Sequence, residues 1–254
     1  MAHLSAVLAT THHPFFLKAT ELTPPEEQIP QAAEWKRKVE AYRETLTAAE
    51  PDLLVMVGSD HFHQFFADNY PTFLIGKQPC YDATFYNEER EFSIPKYVLE
   101  GDEDLSGFMF QGLLDRGFDF SISHELKIDH SIICPIITTR PQADLPVVPI
   151  YTNIFAPPLP SPKRFWDLGR AIRSIIDEYP SDKKIAAIGS GHLSLELGGP
   201  RQFGETGPDP VFDRKAIDWL ASGDITAILE NVTHESMTSS GNATHGFLDL
   251  ILMM

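Results

Sequence analysis

The sequence is poor in cysteine. Among 254 residues only Cys80 and Cys134 carry a thiol, in no metal-binding spacing and too few to staple a chain of this size. Both are read as reduced packing residues. Positive charge is also scarce: 20 Lys and Arg stand against 36 Asp and Glu, giving a formal charge of -16 and a pI near 4.9. Affinity for nucleic acid comes largely from basic side chains that displace counterions from phosphates, so no such partner is expected. No window approaches the roughly 18 uninterrupted apolar residues of a membrane span. The opening "MAHLSAVLATTHHPFF" lacks the basic start of a signal peptide, so the expected location is cytoplasmic, away from membranes. Repeats and low-complexity runs are absent too, which sets aside solenoids and disordered tails.

What remains is an ordinary globular composition, 43% hydrophobic and 22% charged, in a chain long enough to bury about three quarters of its unfolded surface. Short apolar runs bounded by turn residues recur at Leu4 to Ala9, "DLLVMVG", "TFLIG", "DFSIS", "LPVVPIYTN" and "KIAAIGSG". Helical patterns alternate with them. From Gln31 to Glu50, Ala33, Trp35, Val39, Tyr42 and Leu46 mark one face. Asp102 to Arg116, Pro162 to Glu178 and Pro210 to Ser222 follow, the last two opened by proline in the first turn. Unbroken runs such as "LLVMV" suit strands buried on both faces. The expected fold is α/β: a single domain, residues 1–254, with a central mixed, largely parallel sheet covered by helices on both faces.

In open α/β sheets ligands bind outside the carboxyl ends of the strands. Three polar clusters follow strands here: "ATTHHP", "GSDHFH" and "IGSGHLSLE". Imidazole is the commonest metal ligand and the side chain that titrates nearest neutrality. Each histidine alone is more often a hydrogen-bonding group than a ligand, but several after strands of one domain point to metal binding or proton transfer. Two histidines and a carboxylate with open positions suit non-heme Fe(II) chemistry; two histidines holding zinc-bound hydroxide suit a hydrolase. Residue types leave both open.

The chain resembles the class III extradiol dioxygenases, in the superfamily that includes the catalytic subunit of protocatechuate 4,5-dioxygenase. "ATTHHP" is similar to the family's first metal loop and "PDLLVMVGSDHFHQFFADNYPTFLIG" to its second, which implies metal ligands at His12 and His61. "ELKIDHSIICPI" resembles the Asp-His segment near the substrate and implies a proton donor or hydrogen-bonding role for His130. "VVPIYTNIFAPPLPSPKRFWDLGRAI" is similar to the segment leading into the penultimate helix. The resemblance implies Fe(II) as cofactor, a catechol and O2 as substrates, extradiol ring cleavage, and assembly as a homo-oligomer or with a small companion subunit.

Two positions depart from the family. Its base histidine follows a "GSGGLSH" type turn, but "GSGHLSLEL" puts Leu195 there; His192, three residues earlier, is the candidate to serve from a different root. The family's glutamate ligand aligns with Gly246, and Glu235, His245 and Asp249 are possible substitutes. Arg201 is the candidate partner for a substrate carboxylate, as on a protocatechuate-like ring. Asp60 is expected to orient its loop and His63 to stay at the surface or behind the ligands. "CYDATFYNEEREFSIP" reads as a solvated acidic loop. The final "GFLDLILMM" has no polar cap, as if the helix were cut short. Leu195 and Gly246 also keep alive a non-catalytic relative or partner subunit; a zinc hydrolase is the remaining alternative.

Overall fold

The computed structural model describes residues 1–202, 204 and 206–254. All six apolar runs become strands of one sheet: β1 (His3–Thr10), β2 (Leu53–Gly58), β3 (Phe73–Gly76), β6 (Ser121–Ser123), β7 (Val147–Thr152) and β8 (Lys184–Ser190). The order is β1-β8-β2-β7-β3-β6. The first four run parallel, β3 lies antiparallel to β7, and β6 parallels β3. The sheet is therefore mixed and largely parallel, as expected. A separate antiparallel ribbon, β4 (Cys80–Ala83) with β5 (Tyr97–Glu100), accompanies it.

The strand sequences explain this burial. Every residue of β2 and β7 is buried, which an unbroken apolar run permits and an alternating one would not. The side chains still alternate. Leu53, Val55 and Val57 join Ile185 and Ala187 under helices Glu103–Asp115, Pro162–Glu178 and Phe247–Leu252. Leu54 and Met56 join Ala186 and Ile188 under helices Ala32–Ala48 and His130–Thr139. Each fully buried Leu, Ile or Val contributes about 1.5–3 kcal/mol, so both faces hold the sheet between helical layers.

Because β1, β8, β2 and β7 are parallel neighbours, their carboxyl ends lie along one edge. Thr10 stands beside Ser190, and Gly58 beside Tyr151. The segments leaving these strands carry His12, His61 and His192. Helix His130–Thr139 starts against the same edge: a side chain at Gly58 would meet Ser131 Oγ at 2.5 Å, and the Ser59 amide donates to that hydroxyl at 3.2 Å.

"CYDATFYNEEREFSIP" corrects a sequence expectation. It holds β4 and helix Tyr86–Phe92 and runs up to β5, and Glu88 within its acidic run is fully buried. Cys80 is exposed, Cys134 is buried, and both are free thiols.

Candidate active site

Four imidazoles converge outside the strand ends. The His12 ring centre lies 5.0 Å from that of His61, 5.2 Å from His192 and 5.8 Å from His130, and His61 and His130 are 4.0 Å apart. They line a cavity of about 180 Å³ with His13, Phe15, Phe92, Phe155, Leu195 and Leu197. Hollows of about 430 and 710 Å³ flank strand β1, lined by Val7, Met253 and Met254. The first adds Arg170, Arg173, Asp177 and Glu178 from one helix, with Arg173 paired to Asp177 and Glu178 to Arg116. The second holds only His192 of the four imidazoles, so the chemistry belongs to the smaller cavity.

Each imidazole is anchored through one nitrogen. His12 Nδ1 bonds Ser190 Oγ at 2.6 Å. His61 Nδ1 donates to Asp129 Oδ2 at 2.9 Å, and its backbone amide donates to the same oxygen at 3.1 Å. His130 repeats the pattern on Glu88 Oε1, with Nδ1 at 2.6 Å and the amide at 2.7 Å. His192 donates from Nε2 to the Ala243 carbonyl at 2.7 Å. Such contacts fix the ring orientation, and the carboxylate and carbonyl acceptors fix the tautomers of His61, His130 and His192 as well, leaving Nε2 of His12, His61 and His130 and Nδ1 of His192 for the cavity.

Asp129 organises one side. It caps helix His130–Thr139, where Oδ1 accepts from the Ser131 amide at 3.0 Å, the Ser131 hydroxyl at 2.6 Å and the Tyr151 hydroxyl at 3.1 Å. Burial opposes its charge, yet the hydrogen bond from His61 and the nearby His63 ring hold its carboxyl well below the usual carboxylate range. His63 stands behind the ring of four, stacked on Phe85 at 4.4 Å and 3.5 Å from Asp129 Oδ2. Burial alone would lower its pKa; Asp129, with Glu88 and Asp60, raises it instead. Asp60 accepts the amides of His63, Gln64 and Phe65 at 3.0–3.1 Å and so shapes the loop that presents His61.

Among the described residues, His63, Glu88, Asp129 and His130 could hold a metal ion, their ligand atoms all lying within 4.8 Å of one another. Those two carboxylates, however, already accept the N–H groups of His61 and His130, the arrangement in which a carboxylate steadies a ligand rather than binds the ion. The cavity-facing imidazoles suit a metal better. Burial first, then the neighbouring imidazoles, holds His12 well below the ordinary histidine value; burial likewise depresses His61, and takes His192 down to about 4. They stay neutral at physiological pH, the form that coordinates.

The sequence candidates divide. The structure brings His12, His61, His130 and His192 together and leaves Arg201 outside. Its guanidinium bonds Glu196 Oε2 at 2.7 Å and the Ser239 carbonyl at 3.2 Å, so its charge is already met away from the cavity. Of the substitute ligands, Glu235 is exposed, His245 stacks on His234 at 5.4 Å, and Asp249 is buried beneath the site against Thr152 Oγ1 at 2.6 Å and Ser59 Oγ at 3.1 Å. Burial raises the Asp249 pKa to about 7. Leu195 does line the cavity.

Sequence reasoning missed Glu88, Asp129 and Ser190. An N-cap reading of "IDHSII" flags Asp129, and the end of β8 locates Ser190, but Glu88 looks like its solvated neighbours.

Fold and site together define an α/β domain with an imidazole-lined cavity at the carboxyl edge of its sheet. Residues 6–254 match the family described as the catalytic LigB subunit of aromatic ring-opening dioxygenase, and the chain belongs to that family. It is similar to a protein of Rhodococcus globerulus named 2,3-dihydroxyphenylpropionate/2,3-dihydroxicinnamic acid 1,2-dioxygenase, 31% identical over 74% of this chain and 56% of the relative. A Photorhabdus laumondii protein of the same name is 30% identical over 63% of this chain and 48% of its own length. The chain thus spans about half the length of these relatives. An uncharacterized protein from Escherichia coli K12, known as a crystal structure, shares the fold, with TM-score 0.57 and 17% identity over 91% of this chain and 83% of the other. Among the described residues, no helix is long and apolar enough to cross a membrane.

Proposed function

We propose that this protein is a non-heme Fe(II)-dependent extradiol dioxygenase that opens a catechol ring beside its diol. Family membership supports the reading. The observation that carries it is the convergence of anchored imidazoles on one small apolar cavity. His12 and His61 would hold the iron through Nε2. Bound there, Fe(II) would bring diol and O2 together as a Lewis acid and electron conduit.

The protein's own groups would do the rest. His130 presents Nε2 to the cavity while Nδ1–H stays on Glu88, so it can accept a phenolic proton at Nε2 and return it later. The carboxylate behind the ring stabilises the imidazolium that forms between those steps. Phe92 and Phe155 line the cavity and would offer a planar ring apolar surface in place of water. A volume of about 180 Å³ falls below the roughly 300 Å³ where drug-sized pockets begin, which suits one ring with a short substituent. Among the described lining residues there is no Lys or Arg, so an apolar substituent fits better than a carboxylate.

The test is anaerobic loading with Fe(II), then O2 uptake and ring-fission absorbance over a panel of catechols. Turnover is expected, with apolar catechols ahead of carboxylated ones; iron-loaded protein that consumes no O2 with any of them overturns the proposal. Leu195 and Gly246 favour a second reading, a non-catalytic subunit that pairs with an active one. Stoichiometric iron in the purified protein would count against it. Light scattering would establish whether the chain forms a homo-oligomer, and co-purification would reveal a small companion subunit.

A further inference from the structure

We infer that His192 is the third imidazole ligand of the metal site, bonding through Nδ1, and that position 246 is glycine because any side chain there would displace that ring. The inference rests on the metal reading above and supplies the ligand it leaves open.

Gly246 is the first observation. Its backbone is ordinary right-handed helix, φ -58° and ψ -16°, a conformation every L-residue adopts, so the glycine is not there for its torsion angles. It is there for space. A Cβ at 246 would sit 2.3 Å from Cε1, 2.5 Å from Nε2 and 2.7 Å from Nδ1 of His192. The imidazole occupies the volume in which a side chain at 246 would begin.

Tautomer and spacing supply the second argument. The Ala243 carbonyl can only accept, so its 2.7 Å bond requires the proton on Nε2 and leaves the lone pair on Nδ1. With metal–nitrogen bonds of 2.0–2.1 Å, two imidazoles bound to one ion have ring centres about 4.5 Å apart at a right angle and about 5.2 Å apart at the tetrahedral angle. His12–His61 at 5.0 Å and His12–His192 at 5.2 Å meet that spacing. His130 does not: it lies 4.0 Å from His61 and 5.8 Å from His12.

The backing groups separate the two roles. A base must carry a positive charge between accepting and returning its proton, and His130 has the Glu88 carboxylate to stabilise it. His192 is backed only by a neutral carbonyl, which suits a ligand that stays uncharged. The ligand atoms of His12, His61 and His192 do not all lie within 4.8 Å of one another, so an ion must draw the rings together, and its spectrum reports whether it does.

The experiment measures metal affinity rather than turnover, using wild type, His192→Ala, Gly246→Ala and the double variant. Each is titrated with Co(II), followed by its visible absorption, and with Fe(II) against a competing chelator. Loss of a neighbour that merely orients a ligand costs about 10- to 100-fold in affinity, so His192→Ala should weaken binding by about 100-fold or more, change the Co(II) spectrum, and regain affinity when imidazole is added. Gly246→Ala should weaken binding when His192 is present and do nothing further in the His192→Ala background, because its effect runs through the ring. Metal-free thermal melts check that each variant folds, and Gly246→Ala decides the matter if His192→Ala does not. Wild-type affinity and spectrum in both single variants would overturn the inference and leave the proposed function standing. Failure of the wild type to bind either ion would overturn both.

Discussion

The two sides of the cavity hold the same side chain in different ways. On one side His61 and His130 rest on the buried carboxylates Asp129 and Glu88. On the other, His12 rests on a hydroxyl and His192 on a backbone carbonyl. A carboxylate behind an imidazole stabilises its protonated form and strengthens it as a donor; a neutral partner fixes direction without favouring charge. On the proposed reading, the carboxylate side pairs a ligand strengthened by Asp129, His61, with a proton carrier stabilised by Glu88, His130, while the neutral side holds rings that coordinate without taking up charge. Substitutions that swap or remove the backing groups therefore test the division.

The largest effect is expected at Asp129. Asp129→Ala strands the Ser131 amide and the Tyr151 hydroxyl in a buried place and leaves the amide and ring N–H of the part-buried His61 without their acceptor. Breaking a buried charged network costs about 3–5 kcal/mol, which urea unfolding would read directly. The pH dependence has a definite sign. Because the folded-state pKa of Asp129 is depressed, its contribution is present above the unfolded value near 4 and is lost as pH falls below it. The variant should lack that acid-side slope.

Glu88→Gln probes proton transfer alone. The amide keeps an acceptor near His130 but loses the charge that stabilises its protonated form. General acid–base contributions run to about 100- to 10,000-fold, so kcat should fall within that range while bound metal stays at the wild-type level. A loss of metal with kcat unchanged per bound ion would place Glu88 on the coordinating side and break the comparison.

These two carboxylates also mark what could be read in advance. The six sheet strands were legible because a run such as "LLVMV" has no stable place except between two helical layers. His12 and His61 were legible because they follow strands directly. Glu88 was not: "NEERE" has the composition of a surface, and which of its glutamates turns inward depends on helix Tyr86–Phe92 packing against His130. A capping-box signature would have helped, but Phe85 stands where Ser or Thr would signal it. The meeting of His192 with Gly246 joins loops brought together only by the β8 edge, and Arg201 looked free because Glu196, five residues earlier, gave no hint that it would claim the charge.

A third buried carboxylate sharpens the contrast between backing groups. Asp249 receives only the hydroxyls of Ser59 and Thr152, and burial raises its pKa to about 7, the opposite of Asp129. The folded protein then binds a proton that the unfolded chain has already released, so stability should fall as pH rises from about 4 to 7 and level off above. At about 1.4 kcal/mol per pKa unit the full swing is at most about 4 kcal/mol. Asp249→Asn cannot ionise and should lose this slope, gaining stability over wild type at pH 8 but not at pH 4. Parallel unfolding curves at the two pH values would show that Asp249 is not neutral in the folded state.

The smallest effect is expected at Ser190, and it isolates the neutral side. Ser190→Ala leaves His12 Nδ1 without its 2.6 Å partner, freeing the ring to rotate. Only orientation is lost, since no charge is removed. Metal affinity should therefore fall about 10- to 100-fold, equivalent to roughly 1.4–2.7 kcal/mol, while kcat of the fully loaded protein changes little. Glu88→Gln should show the reverse, with affinity kept and kcat lost. If Ser190→Ala instead lowered kcat without touching affinity, His12 would be handling protons despite its uncharged backing, and the backing group would no longer predict what an imidazole in this cavity does.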